Sequence, residues 1–142
     1  MSTNVIIVGG GKVGSYLTAF LCKHDCVVQL IEIRQEEIAR LQQELKHPNV
    51  RVWEGSGTDP GLLEEVGIRQ ASVIAAVTGD DEVNLVVTSL ARFEFNVPRT
   101  IVRVNNPKNA WLHTAVMGVD VALNQADLIA HMIAEEIPAL DT

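Results

Sequence analysis

The chain has 142 residues, 47% of them hydrophobic, with 11 Lys and Arg against 18 Asp and Glu and a formal net charge of -7. This length supports one domain with a proper core. The acidic balance excludes nucleic acid as the main partner, because a phosphate backbone needs clustered cations. No apolar run reaches membrane-spanning length, and strand pattern begins almost at Met1, leaving no room for a cleaved signal peptide. The expectation is a cytoplasmic protein, or a cytoplasmic module of something larger. The two cysteines, Cys22 and Cys26, are too few for a disulfide framework and read as buried thiols in a reducing compartment.

In chain order, a first strand is predicted over 4–8, followed by Gly9-Gly10-Gly11-Lys12-Val13-Gly14. A helix is predicted over 12–24, with Val13, Leu17, Phe20 and Leu21 on its apolar face. The second strand is expected over 27–32. The second helix, over 35–46, carries Ile38, Leu41 and Leu45 at helical spacing and is closed by Pro48. A short third strand over 50–53 leads into Gly55-Ser56-Gly57-Thr58-Asp59-Pro60. Asp59 caps a short helix with Pro60 at its first position, and Gly67 ends that helix. The fourth strand, 73–77, is apolar on both faces, as a central parallel strand should be. Asp80, Asp81 and Glu82 suit the positive start of a helix running to about Phe95. A fifth strand over 100–104, a helix opened by Asn105-Asn106-Pro107, a strand over 120–123 and a last amphipathic helix over 125–137 complete the chain.

Alternating strands and helices predict an α/β fold: a Rossmann-like, doubly wound parallel sheet of six strands in the order 3-2-1-4-5-6, with helices on both faces. All of 1–142 reads as this single domain.

The stretch after the first strand carries the chemistry. Gly9, Gly11 and Gly14 form G-x-G-x-x-G between a strand and a helix, the context that gives the pattern meaning as a dinucleotide fingerprint. Gly9 permits the tight turn, Gly11 lets backbone approach a pyrophosphate, and Gly14 lets the helix pack close to the sheet. The helix start offers N–H groups and a positive dipole end. Glu32 ends the second strand at the spacing of a ribose-binding acid. It would repel a 2′-phosphate, which makes NADP the lesser candidate even with Arg34 nearby. Strand ends also supply Ser56, Gly57, Thr78, Gly79 and Arg103, a set suited to a nucleotide held by backbone amides. Lys12 either reaches a phosphate or a neighbouring subunit's ligand, or sits solvated at the helix start. Arg103, on a central strand, needs a partner: a ligand phosphate, Asp80 or Glu82.

Beyond the glycine loop, four segments form a further pattern: Gly55–Pro60 with Leu63 to Ile68, Val77-Thr78-Gly79-Asp80-Asp81-Glu82-Val83-Asn84, Ile101–Pro107, and Gly118-Val119-Asp120-Val121-Ala122. With these the chain resembles the N-terminal nucleotide-binding domain of regulators of potassium conductance, also called the KTN or TrkA-N domain. The resemblance implies binding of NAD(H), ATP, ADP or AMP at the cytosolic side of potassium channels, uptake systems or efflux antiporters, in homodimers or higher homo-oligomers whose rearrangement gates the membrane partner. It implies pyrophosphate contacts from Gly9, Gly10, Gly11, Lys12 and Val13, ribose contact by Glu32, adenine-side contact by Ser56 and Gly57, and completion of the site by Thr78, Gly79 and Arg103. It also places the protein at the cytoplasmic face of the inner membrane through its partner. Many members carry a second ligand-sensing domain, so the expectation is either a stand-alone subunit or one domain of a longer protein. The last helix, with Leu128, Ile129, Met132 and Ile133, packs either on a dimer partner or on its own sheet.

The alternative is a small NAD-dependent oxidoreductase or its cofactor domain. That reading lacks a proton relay: Tyr16 has no Lys at i+4, and His113 and His131 lie in late helices. His131 and Glu135 share a helix face but do not make a metal site by themselves.

Overall fold

A computed structural model describes residues 2–139. Six strands form one sheet: β1 (Thr3–Val8), β2 (Cys26–Glu32), β3 (Val50–Glu54), β4 (Val73–Ala76), β5 (Arg99–Val104) and β6 (Val121–Asn124). Their order is β3-β2-β1-β4-β5-β6, every pair parallel. This is the doubly wound order expected from the alternation of patterns. The helices are α1 (Lys12–Leu21), α2 (Gln35–Glu44), α3 (Pro60–Val66), α4 (Asp81–Ser89) and α5 (Gln125–Glu135).

Side chains of β1 alternate between two cores, as strand geometry demands. Val5 and Ile7 pack with Leu30, Leu41 and Leu45 on the α1–α2 face. Ile6 and Val8 pack with Leu63, Val66, Val87 and Ala91 on the α3–α4 face. Local chemistry sets the helix ends. Asp59 accepts from Gly61 N at 2.9 Å and Pro60 opens α3, while Gly67 closes it at φ +100°. Asp80 caps α4 by accepting from Glu82 N and Val83 N. Beyond Ser89 the helix continues through a π-helical turn, Leu90–Glu94, in which Phe95 N donates to Leu90 O.

Three expectations are corrected. The buried face of α1 is Gly14 and Thr18, continued by Cys22 at the C-cap, with Leu17 and Leu21 half-buried, while Val13 and Phe20 face solvent. Close approach at Gly14 turns the small-residue face inward, and Thr18 Oγ1 donates to Gly14 O at 2.7 Å. Phe20 lies against His24, with ring centroids 4.5 Å apart. Second, Asn106 caps and Pro107 opens the next helical segment, but it winds as two short 3-10 turns, Pro107–Leu112 and Ala115–Met117. An extended Thr114 separates them. Third, β4 ends at Ala76 rather than Val77.

Cys22 and Cys26 are buried free thiols, as expected. On α5, Leu128, Ile129, Met132 and Ile133 are all exposed rather than buried on the sheet. His131 pairs with Asp127 on this helix. Among the described residues, no helix is long and apolar enough to cross a membrane.

Candidate functional site

A cleft of about 600 Å³ lies over the carboxyl ends of the strands, above the switch between β1 and β4. Of the residues the sequence singles out, Gly9, Gly11, Glu32, Ser56, Gly57, Thr78, Gly79 and Arg103 line it. The other four sit around it. Gly10 is buried behind Glu32, Gly14 is buried under the turn, and Lys12 and Val13 are exposed in the first turn of α1.

The turn out of β1 is held from both neighbouring strands. Gly9 N donates to Ile31 O at 2.9 Å, and Val77 N donates to Val8 O at 2.9 Å. Gly9 stands at φ +115°, a conformation that favours glycine. A side chain there would also meet the backbone of Thr78, 2.9 Å from its Cβ position. The helix that follows begins differently from its neighbours. Side chains cap α3, α4 and α5, and α2, also without a side-chain cap, carries Glu36 and Glu37 in its first turn, whereas α1 has neither a cap from Gly11 nor an acid in its first turn. The first-turn N–H groups of α1 thus lie beside the cleft without a side-chain acceptor.

Glu32 is 4% exposed. Burial alone would raise its carboxyl pKa. Hydrogen bonds from the Arg34 side chain and from the Arg34 and Gly10 backbone outweigh that burial and hold it below the ordinary carboxylate range. It is therefore an anion at neutral pH, able only to accept hydrogen bonds.

At the opposite wall, Thr78 belongs to a network that the sequence reading does not assign. Asn84, fully buried in α4, accepts from Thr78 N at 3.0 Å and from Thr78 Oγ1 at 2.6 Å. Its Nδ2 donates to Thr78 O and Arg103 O, both at 3.0 Å. One amide thus ties the end of β4 to the end of β5. Asp81 does similar work one turn earlier. It accepts from Asn105 N at 2.7 Å, Asn106 N at 2.8 Å, and the side chains of Asn105 and Asn109 at 3.0 Å. The signal was an Asn inside a helix and an Asp beyond the cap, both residue types that usually spend their hydrogen bonds locally. Here both reach across the sheet.

Burial would raise the Asp81 carboxyl, but these donors bring it down to about 2. A depressed folded-state value stabilises the fold above the unfolded value of 3.8 and is lost as pH falls toward about 2. Asp81→Asn is therefore expected to destabilise the protein by about 1–2 kcal/mol at neutral pH, allowing for solvent screening. Urea denaturation of both proteins from about pH 6 to pH 2 checks this, because the gap must close in acid. A constant gap across that range would refute the assignment.

Arg103 is half-buried, and its Nε is buried without a hydrogen-bond partner. Neither Asp80 nor Glu82 forms an ion pair with it among the described residues. It lines the same cleft as Gly11 and Glu32.

A glycine turn, an uncapped helix start and a buried acid at the next strand end, all on a 3-2-1-4-5-6 sheet, define a Rossmann-type α/β domain. The TrkA-N domain model matches residues 5–125. The chain belongs to the TrkA-N domain family. The Trk system potassium uptake protein TrkA of Mycobacterium tuberculosis is 35% identical over 134 residues, covering 94% of this chain and 59% of the relative. The TrkA homolog of Methanothermobacter thermautotrophicus is 42% identical over 103 residues, covering 72% of this chain and 46% of the relative. The chain thus spans about half to three-fifths of the length of these curated relatives. Among solved structures, the TrkA-N domain of the inner membrane protein ybaL from Escherichia coli superposes with a TM-score of 0.82 at 18% identity, covering 96% of this chain and 98% of that one. GsuK bound to ADP superposes with a TM-score of 0.78 at 23% identity, covering 98% of this chain and 35% of that one.

Proposed function

We propose that this chain is the adenine-nucleotide-binding regulatory domain of a potassium uptake system, channel or efflux antiporter. The observation that carries the reading is the cleft itself. Gly11, where a side chain would meet nothing within 4 Å, the uncapped start of α1, the Glu32 anion and the unpartnered Arg103 Nε all border one space. The arrangement suits a pyrophosphate over Gly9 to Val13, with Lys12 beside it, a ribose diol on Glu32, and adenine near Ser56 and Gly57. Thr78, Gly79 and Arg103 close the opposite wall. The family supports this reading, as does a structural neighbour whose own ligand is ADP.

The ligand is NAD(H), ATP, ADP or AMP, since all offer the free diol that Glu32 selects. The exposed apolar residues of α5 suit a second copy, through which nucleotide exchange alters dimer geometry and so the membrane partner at the cytoplasmic face. The domain acts as a sensor rather than an enzyme. No tyrosine–lysine pair accompanies the cleft, and the only tyrosine, Tyr16, is 78% exposed on α1.

Calorimetry with NAD, NADH, ATP, ADP and AMP on one preparation tests the reading. Binding without turnover is expected. Glu32→Ala should weaken each ligand about tenfold, the scale of hydrogen bonds to a charged group. Glu32-dependent hydride transfer to a small substrate would replace the sensor with the oxidoreductase.

A further inference from the structure

The Glu32 carboxylate has no free acceptor position. Oε1 accepts from Gly10 N at 2.9 Å and from Arg34 Nη2 at 3.1 Å. Oε2 accepts from Arg34 N at 2.7 Å and from Arg34 Nε at 3.1 Å. A carboxylate offers about four lone-pair sites, so these donors saturate it. Two of them are backbone N–H groups that hold the carboxylate in place. The other two belong to one guanidinium, forked across both oxygens from a side chain that is 47% exposed. Arg34 also lines the cleft beside Glu32.

We infer that Arg34 is a displaceable plug on the ribose acceptor, and so a residue that sets selectivity for the free diol. This rests on the reading that Glu32 receives the 2′- and 3′-hydroxyls. Those hydroxyls need the two positions that the guanidinium occupies, and the backbone donors cannot vacate theirs without unmaking the turn. Binding therefore exchanges the Arg34 fork for the diol. The geometry permits it: Arg34 stands before α2 with an extended backbone, and the first turn of α2 gives the released cation the Glu36 carboxylate and, beside it, Glu37, which already pairs with Arg40. A ligand without the diol leaves the plug seated.

Arg34→Met tests this, keeping the apolar stem and the backbone donor while removing the fork. ADP and 2′,3′-dideoxy-ADP are titrated calorimetrically into wild type, Arg34→Met and Glu32→Ala. Loss of a cation near the phosphates affects both ligands alike, so the ratio of their dissociation constants isolates the diol. That ratio should rise about three- to fivefold in Arg34→Met, the scale of one half-exposed ion pair, and fall toward one in Glu32→Ala. An unchanged or lower ratio in Arg34→Met, with Glu32→Ala still losing its preference, overturns the plug and leaves the site standing. A ratio of one in wild type and in Arg34→Met alike, or binding of neither ligand, overturns the ribose assignment itself.

Discussion

Gly14→Ala is expected to destabilise the protein by more than about 4 kcal/mol, in the range reserved for severe steric conflict. The added Cβ would stand 1.7 Å from Gly9 O and 2.8 Å from Gly9 C. No flexible side chain can yield there, because both atoms are backbone. Gly9 is itself fixed by its hydrogen bond to Ile31 O and by its positive φ. Relief requires α1 to withdraw from the sheet, which opens the contacts of Thr18 and Cys22. Since whole domains are stable by only about 5–15 kcal/mol, one methyl group removes a large share of the margin. Chemical denaturation, or soluble yield if the variant does not accumulate, checks this. A wild-type denaturation midpoint would mean that α1 does not rest on the glycine turn.

Gly11→Val, three residues earlier, should fail in the opposite way. Gly11 has φ -72° and ψ -162°, which any L residue adopts, and a Cβ there meets nothing within 4 Å. Stability should change by no more than about 1 kcal/mol, the cost of a poor residue at a helix start. The same open space is where a pyrophosphate would approach the backbone. Filling it should weaken ADP binding about a hundredfold, equivalent to losing a pair of charge-assisted hydrogen bonds. The measurements are a denaturation curve and an ADP titration on one preparation. Normal ADP binding by Gly11→Val would sink the loop assignment. Together the two variants separate the glycine that seats α1 against the turn from the glycine that leaves room above it.

Much of the cleft was legible because its signals are local. The strand–glycine–helix succession, the acid closing the second strand, and the Asp59-Pro60…Gly67 start and stop each depend on neighbours a few residues away. Adjacent strand ends then follow from topology, since parallel crossovers have one hand. Less local features escaped. The apolar residues of α1 lie on two faces, and spacing cannot say which one meets the sheet. The contact of Gly14 with Gly9 decides it, leaving Val13, Tyr16 and Phe20 exposed. The segment after Pro107 reads as one helix from its residues, yet an extended Thr114 splits it.

By itself the sequence determined the element order, the sheet order, the glycine turn and Glu32 as the acid beside it, because chain sterics and period act over short spans. Only the tertiary structure decided what those groups have left to offer. Asn84 and Asp81 spend their hydrogen bonds on strand ends far away in the chain. Gly11 faces open space where Gly14 faces backbone. Arg34, two residues from Glu32, takes the acceptor positions a ribose would need. Hydrogen-bond capacity and free volume depend on every group that converges on a point, and that convergence exists only once the chain is folded.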